Sequence, residues 1–218
     1  MNFARTGFAA VVFLRVFVIR SILILTLFFV SYAIVHSLLA GLPVKAWVRR
    51  VFGPTTDRWY RLFYNFFAVL TLLPLFVLLV LLPDYTLYVV PIPWRWLMMG
   101  GQVLALLGLG VAFIQTDPFH FIGIKQLFTA ESSKGSYFTA SGLYNWVRHP
   151  IYSFSLLFIW LTPWMSVNLF VTYLLFTIYF YSGSIYEEKR LVAELGTVYK
   201  EYQRRVPRLV PIPGRHFR

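Results

Sequence analysis

The segment Ile151–Tyr181 contains no charged residue, and three other stretches of the chain come close to the same condition. Ser21–Leu39 runs nineteen residues without Asp, Glu, Lys or Arg. Leu62–Leu82 carries Asn65 and Pro74 inside it and ends at Pro83-Asp84, while Trp96–Gln115 is rich in Leu and Gly. A hydrocarbon core of about 30 Å needs about 20 apolar residues of helix to cross it. Backbone in lipid must also satisfy its own hydrogen bonds, which favours helix over open strand. Composition agrees, with 59% apolar and 13% charged residues, against about 45–50% and about 25% in soluble domains. The sequence predicts an all-α integral membrane protein, organised as one membrane domain over residues 1–218.

Ile151–Tyr181 is too long for one span and short for two. Pro163, in Leu161-Thr162-Pro163-Trp164-Met165-Ser166, suits a tight turn, so the segment reads as a helical hairpin with short arms at about 151–163 and 167–183. Spans at about 21–40, 62–82 and 96–115 bring the expected total to five. Phe8–Ile19, apolar but broken by Arg15, reads either as an interfacial helix or as an extension of the first span. Gly41–Arg61 holds Lys45, Arg49, Arg50, Arg58 and Arg61 against Asp57, and eight basic residues follow Glu187. Positive-inside bias therefore puts that loop, the Asp117–Arg148 connection and the C-terminus in the cytoplasm. Five spans then leave the N-terminus outside, a placement that Arg5, Arg15 and Arg20 oppose.

The net charge of +12 belongs to these loops and to anionic lipid surfaces rather than to nucleic acid. Cysteine is absent, which excludes disulfides and thiolate nucleophiles. The spacing of His36, His120, His149 and the Glu187-Glu188 pair fits no familiar metal pattern, so no metal is expected.

Polar residues concentrate in the Gln115–Arg148 connection and the tail, and 116–150 with 184–213 is predicted to form a cofactor lobe at one face. Arg148-His149-Pro150-Ile151-Tyr152 opens the hairpin, with Pro150 suited to a first helical turn. Taken alone, Arg148 reads as a snorkelling side chain and Tyr152 as part of an interfacial aromatic belt. Glu187-Glu188 reads as acids at a solvated helix start, followed by an amphipathic helix with Leu191, Leu195, Val198, Tyr199 and Tyr202 on one face. The tail reads as a polybasic patch, or as a lid in which Tyr199, Tyr202, Arg204 and Arg205 close over a pocket. His36, Asn65 and Asp117 are candidate contacts for an acceptor substrate, together with Arg204.

Taken in order, GLYNWVRHPIY, an apolar hairpin with a TPWM turn, and YEEKRLVAELGTVYKEYQRRVPRLVP resemble the C-terminal half of the isoprenylcysteine carboxyl methyltransferase-like superfamily, which includes phospholipid methyltransferases. The N-terminal stretches VHSLLAGLPVKAWVRR, DRWYRLFYN and DPFHFIGIKQ look like its methanethiol S-methyltransferase and NnrU-like branch. Ser153-Phe154 stands where many members carry a glycine two residues after the motif tyrosine. The resemblance implies S-adenosylmethionine as cofactor, S-adenosylhomocysteine as product, and binding residues Gly142, Leu143, Tyr144, His149, Pro150, Tyr152, Glu187 and Glu188, with Tyr199 and Tyr202 from the tail. It implies direct methyl displacement onto a small thiol or a lipophilic acceptor arriving from the lipid bilayer, in a bacterial inner membrane. Arg148 and Arg205 would favour a thiolate, and His149 and His36 are the candidates for a base. The competing expectations are a non-catalytic NnrU-like accessory protein and a membrane reductase of related fold.

Overall fold

The computed structural model describes residues 3–128 and 138–216, with side chains from Val16 onward. Its helices are α1 (Phe3–Ala40), α2 (Leu42–Phe52), α3 (Thr56–Leu81), α4 (Trp94–Gln115), α5 (Pro118–Ile122), α6 (Lys125–Phe128), α7 (Pro150–Trp160), α8 (Val167–Leu195) and α9 (Thr197–Arg205), with a 3-10 turn at Gly142–Asn145. Two short strands, β1 (Thr86–Val89) and β2 (Trp164–Ser166), pair antiparallel.

Among the described residues α1, α3, α4 and α8 are long and apolar enough to cross a membrane, whereas α7 is a shorter apolar helix. Their outward faces are hydrocarbon: Leu27, Val80, Leu104 and Ile114 are each at least two-thirds exposed. So much exposed apolar surface belongs in lipid. The protein is an integral membrane protein of helices. The expected hairpin differs from the observed one in both arms. The first arm is only 11 residues, about 16 Å of helix, and the turn Thr162–Ser166 forms β2 against the α3–α4 connection. The second arm does not stop near residue 183 but continues to Leu195 as a 29-residue helix. No proline interrupts it, and the carboxylates past its apolar part find partners. Phe3–Ala40 is one helix, so Phe8–Ile19 extends the first span.

Two packing devices position the site. Along α4, Gly101, Ala105, Gly108 and Ala112 form a stripe of small residues, with both alanines fully buried. Helices approach closely over such stripes, and α7 lies against this one. A Cβ built on Gly108 would stand 2.4 Å from the Phe154 ring, and one on Gly101 would stand 2.8 Å from Leu161. Gln102 donates to the Phe158 carbonyl at 3.1 Å, which fixes the register. On the other side Leu25 and Phe29 of α1 meet Leu75 of α3 and Leu175 and Phe176 of α8 in the buried centre. At the β end, Ser21 and Asn168 both donate to the Pro83 carbonyl, while Asp84 caps the α8 start by accepting from the Asn168 N–H.

Gly108→Ala should therefore lower stability by about 1–3 kcal/mol, the usual cost of overpacking a closed interface. Phe154→Leu in the same chain should restore part of that loss. Thermal unfolding in detergent measures both, and additive losses in the double variant would show that the two positions do not share a contact.

Candidate functional site

The end of the bundle opposite the strands gathers the titratable side chains. His149 precedes Pro150, whose ring sits at the first turn of α7, where its missing N–H is not needed. From there His149 and Arg148 face α8 about two turns short of its end, at Glu187 and Glu188. Both nitrogens of the imidazole meet carboxylates: Nε2 lies 3.1 Å from Glu188 and Nδ1 lies 3.5 Å from Glu187.

Glu188 is almost fully buried and its acceptor capacity is used up. Its Oε1 accepts from Arg148 Nε at 2.7 Å, His149 Nε2 at 3.1 Å and Arg208 Nε at 3.1 Å. Its Oε2 accepts from Arg148 Nη2 at 3.1 Å, Gln203 Nε2 at 2.9 Å and Arg208 Nη2 at 2.9 Å. A carboxylate offers about four lone-pair directions, so nothing further can bind here. The remaining Arg148 donor goes to the carbonyls of Gln203 and Val206. Main chain completes the clasp, since the N–H groups of Arg148 and His149 donate to the carbonyls of Pro207 and Arg208, and Ser153 Oγ donates to Leu209.

Glu187, the adjacent carboxylate, is different. Its side chain is 39% exposed. The Tyr152 hydroxyl donates to it at 3.3 Å, and beyond His149 it has acceptor capacity to spare. Beside it His149, Tyr152 and Phe180 form a parallel stack, with centroid spacings of 5.4 and 5.2 Å and tilts of 8° and 5°. Next to the stack the Gly142–Asn145 turn is pinned to α4, as the Leu143 N–H donates to Gln115 Oε1 at 3.0 Å. Gly142 has φ +59°, and a Cβ there would fall 2.2 Å from the Gln115 amide. Only glycine accepts both conditions. In the same turn Asn145 Oδ1 is buried without a partner. A half-exposed carboxylate with acceptor capacity to spare, beside an aromatic stack, suits a ligand that is cationic and carries hydrogen-bond donors.

The expected residues divide accordingly. Gly142, Leu143, Tyr144, Arg148, His149, Pro150, Tyr152, Glu187 and Glu188 converge. Tyr144 is tied in through its carbonyl, which accepts from the Tyr202 hydroxyl. Tyr199 and Tyr202 are buried in the tail's own core with Leu191, Val206 and Phe138 rather than lying over a pocket. The predicted single amphipathic helix breaks at Gly196, so Val198 turns outward. Arg204 and Arg205 project from the outer face of α9, both paired with Glu201. The tail guanidinium that reaches the cluster is that of Arg208, paired with Glu188 and lying 5.5 Å over the Tyr181 ring. Asn65 donates to the carbonyls of Phe121 and Ile122, fastening α5 to α3. Asp117 caps α5 and pairs with Lys125, which holds its carboxyl below the ordinary value. His36 stands apart among tyrosines of α3 and α8. Arg208, Gln203 and Gln115 were missed at the sequence level; a Pro-flanked arginine just past a helix end was their one visible sign.

Burial alone would push the His149 imidazole down, but hydrogen bonds to Glu187 and Glu188 outweigh it and hold its pKa above the ordinary 6.5. A raised folded value contributes stability that is complete below about 6.5 and is lost as pH rises through the folded pKa. His149→Gln should thus unfold at lower temperature than wild type near pH 6, with the gap narrowing toward pH 9. Glu188→Ala leaves two guanidiniums unpaired in a buried site, which costs about 3–5 kcal/mol. It should also free the C-terminal segment for trypsin while Glu201→Ala does not. A tail equally resistant in both variants would refute the clasp.

No family model and no solved structure matches the chain. Methanethiol S-methyltransferase 2 of Bradyrhizobium diazoefficiens is 32% identical over 207 residues, covering 88% of this chain and 74% of that protein. The methanethiol S-methyltransferase of Mycobacterium tuberculosis is 32% identical over 209 residues, 85% of this chain and 76% of its own. That of Pseudomonas sp. strain GM41(2012) is 34% identical over 190 residues, with 83% and 69% covered. Similarity of this extent runs through both halves of the bundle, and the chain belongs to the methanethiol S-methyltransferase family of methyltransferases.

Proposed function

We propose that the protein moves a methyl group from S-adenosylmethionine to a small thiol, methanethiol being the first to test, by direct displacement at the cytoplasmic face of a bacterial inner membrane. The observation that carries this reading is the pairing of a spent carboxylate with a free one. Glu188 holds the clasp, and Glu187 presents an open acceptor beside the His149–Tyr152–Phe180 stack.

The residues fit the cofactor's chemistry. Glu187 can receive its ammonium group, with the carboxylate accepting in a charge-assisted hydrogen bond. When bound, S-adenosylmethionine supplies an electrophilic methyl on a sulfonium. The chain's part is then to orient the acceptor and exclude water, and positioning of that kind can supply about 7–11 kcal/mol. Charge favours the sidedness: Lys45, Arg49, Arg50, Arg58 and the tail share the site's end, whereas the β end carries Asp84 and Arg95.

Calorimetric titration of the detergent-purified protein with S-adenosylhomocysteine should give saturable binding, weakened at least about tenfold in Glu187→Gln, one charge-assisted hydrogen bond's worth. Headspace gas chromatography should then detect dimethyl sulfide from methanethiol and S-adenosylmethionine. Folded wild-type protein that releases no heat would sink the proposal, as would unchanged affinity in Glu187→Gln.

A further inference from the structure

Both nitrogens of His149 are engaged by carboxylates, which leaves neither open to a substrate proton. The chain holds a second imidazole in the bundle, in a contrasting setting. His36, near the C-terminal end of α1, meets the Tyr64 hydroxyl of α3, which lies 2.6 Å from Nε2 and 3.2 Å from Nδ1, and the Tyr179 hydroxyl of α8 at 2.5 Å from Nδ1. Tyr32 packs against its ring with centroids 5.5 Å apart, and Ser37 reaches Tyr179. Among the described residues the polar groups that face it from α1, α3 and α8 are hydroxyls, and none is a carboxylate.

Counting protons shows what the trio can do. A neutral imidazole carries one N–H and each phenol one O–H, three protons shared between the ring and two phenols. One phenol therefore donates to the ring and the other accepts from it. The donating phenol keeps lone pairs for an outside proton, and the accepting phenol keeps an O–H for an outside acceptor. Ser37 adds one proton and one bond and leaves that balance unchanged. The unit is a relay with a receiving end.

Its position matches such a role. Tyr179 is followed in sequence by Phe180, which stacks on Tyr152, and the Tyr152 hydroxyl lies within electrostatic reach of both Tyr64 and Tyr179 while it donates to Glu187. Around His36 the α1 positions Val35 and Leu38 are exposed on the outer face, so an apolar thiol dissolved in the bilayer reaches the trio without crossing water.

We infer that His36, relayed by Tyr64 and poised by Tyr179, is the general base that ionises the acceptor thiol, an assignment that rests on the proposed thiol methylation. The thiol proton passes to the Tyr64 oxygen as the Tyr64 proton passes to His36 Nε2. Sulfur forms its new bond to the methyl carbon while the sulfonium C–S bond breaks, that electron pair staying with the departing S-adenosylhomocysteine. The products are a thioether and an imidazolium, which releases its proton at the interface.

The test compares two acceptors in wild type, His36→Gln and Tyr64→Phe, with S-adenosylhomocysteine affinity and unfolding temperature measured on each protein. Methanethiol is largely protonated at neutral pH and needs the base; an acidic aryl thiol is already ionised and does not. His36→Gln should lose about 100-fold or more in kcat for methanethiol, within the usual range for a general base, and stay within about threefold for the aryl thiol. Tyr64→Phe should show the same pattern more weakly, and cofactor affinity should change by less than about twofold in both. Equal losses for the two thiols would overturn the assignment and leave His36 as an interhelical tie, and retained methanethiol turnover would overturn it outright. Wild type that binds S-adenosylhomocysteine yet methylates no thiol overturns the base while sparing the cofactor site. Absence of that binding in wild type removes both.

Discussion

Everything at the functional end of the bundle hangs on one buried carboxylate. Glu188 binds the guanidiniums of Arg148 and Arg208, the His149 imidazole and the Gln203 amide at once. These groups come from the segment before α7, from α9 and from the tail beyond it. Burying a lone carboxylate costs several kcal/mol, and a charge cluster repays this only when every donor and acceptor is matched. That condition is met here. Because Glu188 is saturated, the tail is drawn back so that Val206–Leu209 runs along residues 148–153, and Tyr199 and Tyr202 are carried into a small core of their own.

The clasp also explains why α7 can be short. Eleven residues reach about halfway across a hydrocarbon core, so the polar backbone before Pro150 would sit among apolar helices unless something satisfied it. The Pro207 and Arg208 carbonyls accept the N–H groups of Arg148 and His149, and Gln115 accepts that of Leu143. Non-helical chain at such depth is tolerated where protein covers it. The small-residue stripe on α4 completes the arrangement, letting α7 lie close enough for Tyr152 to bridge from His149 to Phe180.

Much of this was legible in the sequence, for definite reasons. Long uncharged runs fixed the spans because lipid enforces apolarity residue by residue. R-H-P and E-E marked the site because charges beside such runs need partners. What stayed hidden depended on where the chain folds back. Arg205 and Arg208 look equivalent in RRVPR, and the end of α9 at Arg205 is what leaves the first outside with Glu201 and swings the second onto Glu188. Tyr199 and Tyr202 read as lid aromatics for the same reason, since helical spacing does not say whether a face covers a ligand or its own tail. Asn65 and Asp117 were visible as polar residues in odd places, but their partners are backbone groups of α5, which composition cannot reveal.

The two histidines show how far environment divides one side chain's chemistry. His149 sits between carboxylates, which raise its pKa above the ordinary value and engage both of its nitrogens. His36 sits between phenols, which neither hold a proton on it nor withdraw one, so its ring stays open to exchange. A reaction that begins with a neutral thiol and ends with a neutral thioether must shed one proton per turnover, and a site walled by fixed charges has nowhere to put it. Separating the charged clasp from the uncharged relay solves that problem, with Tyr152 touching the free carboxylate on one side and lying within reach of the phenols on the other. The polar residues of this bundle are few because each group is either fully committed or left free, and the geometry decides which.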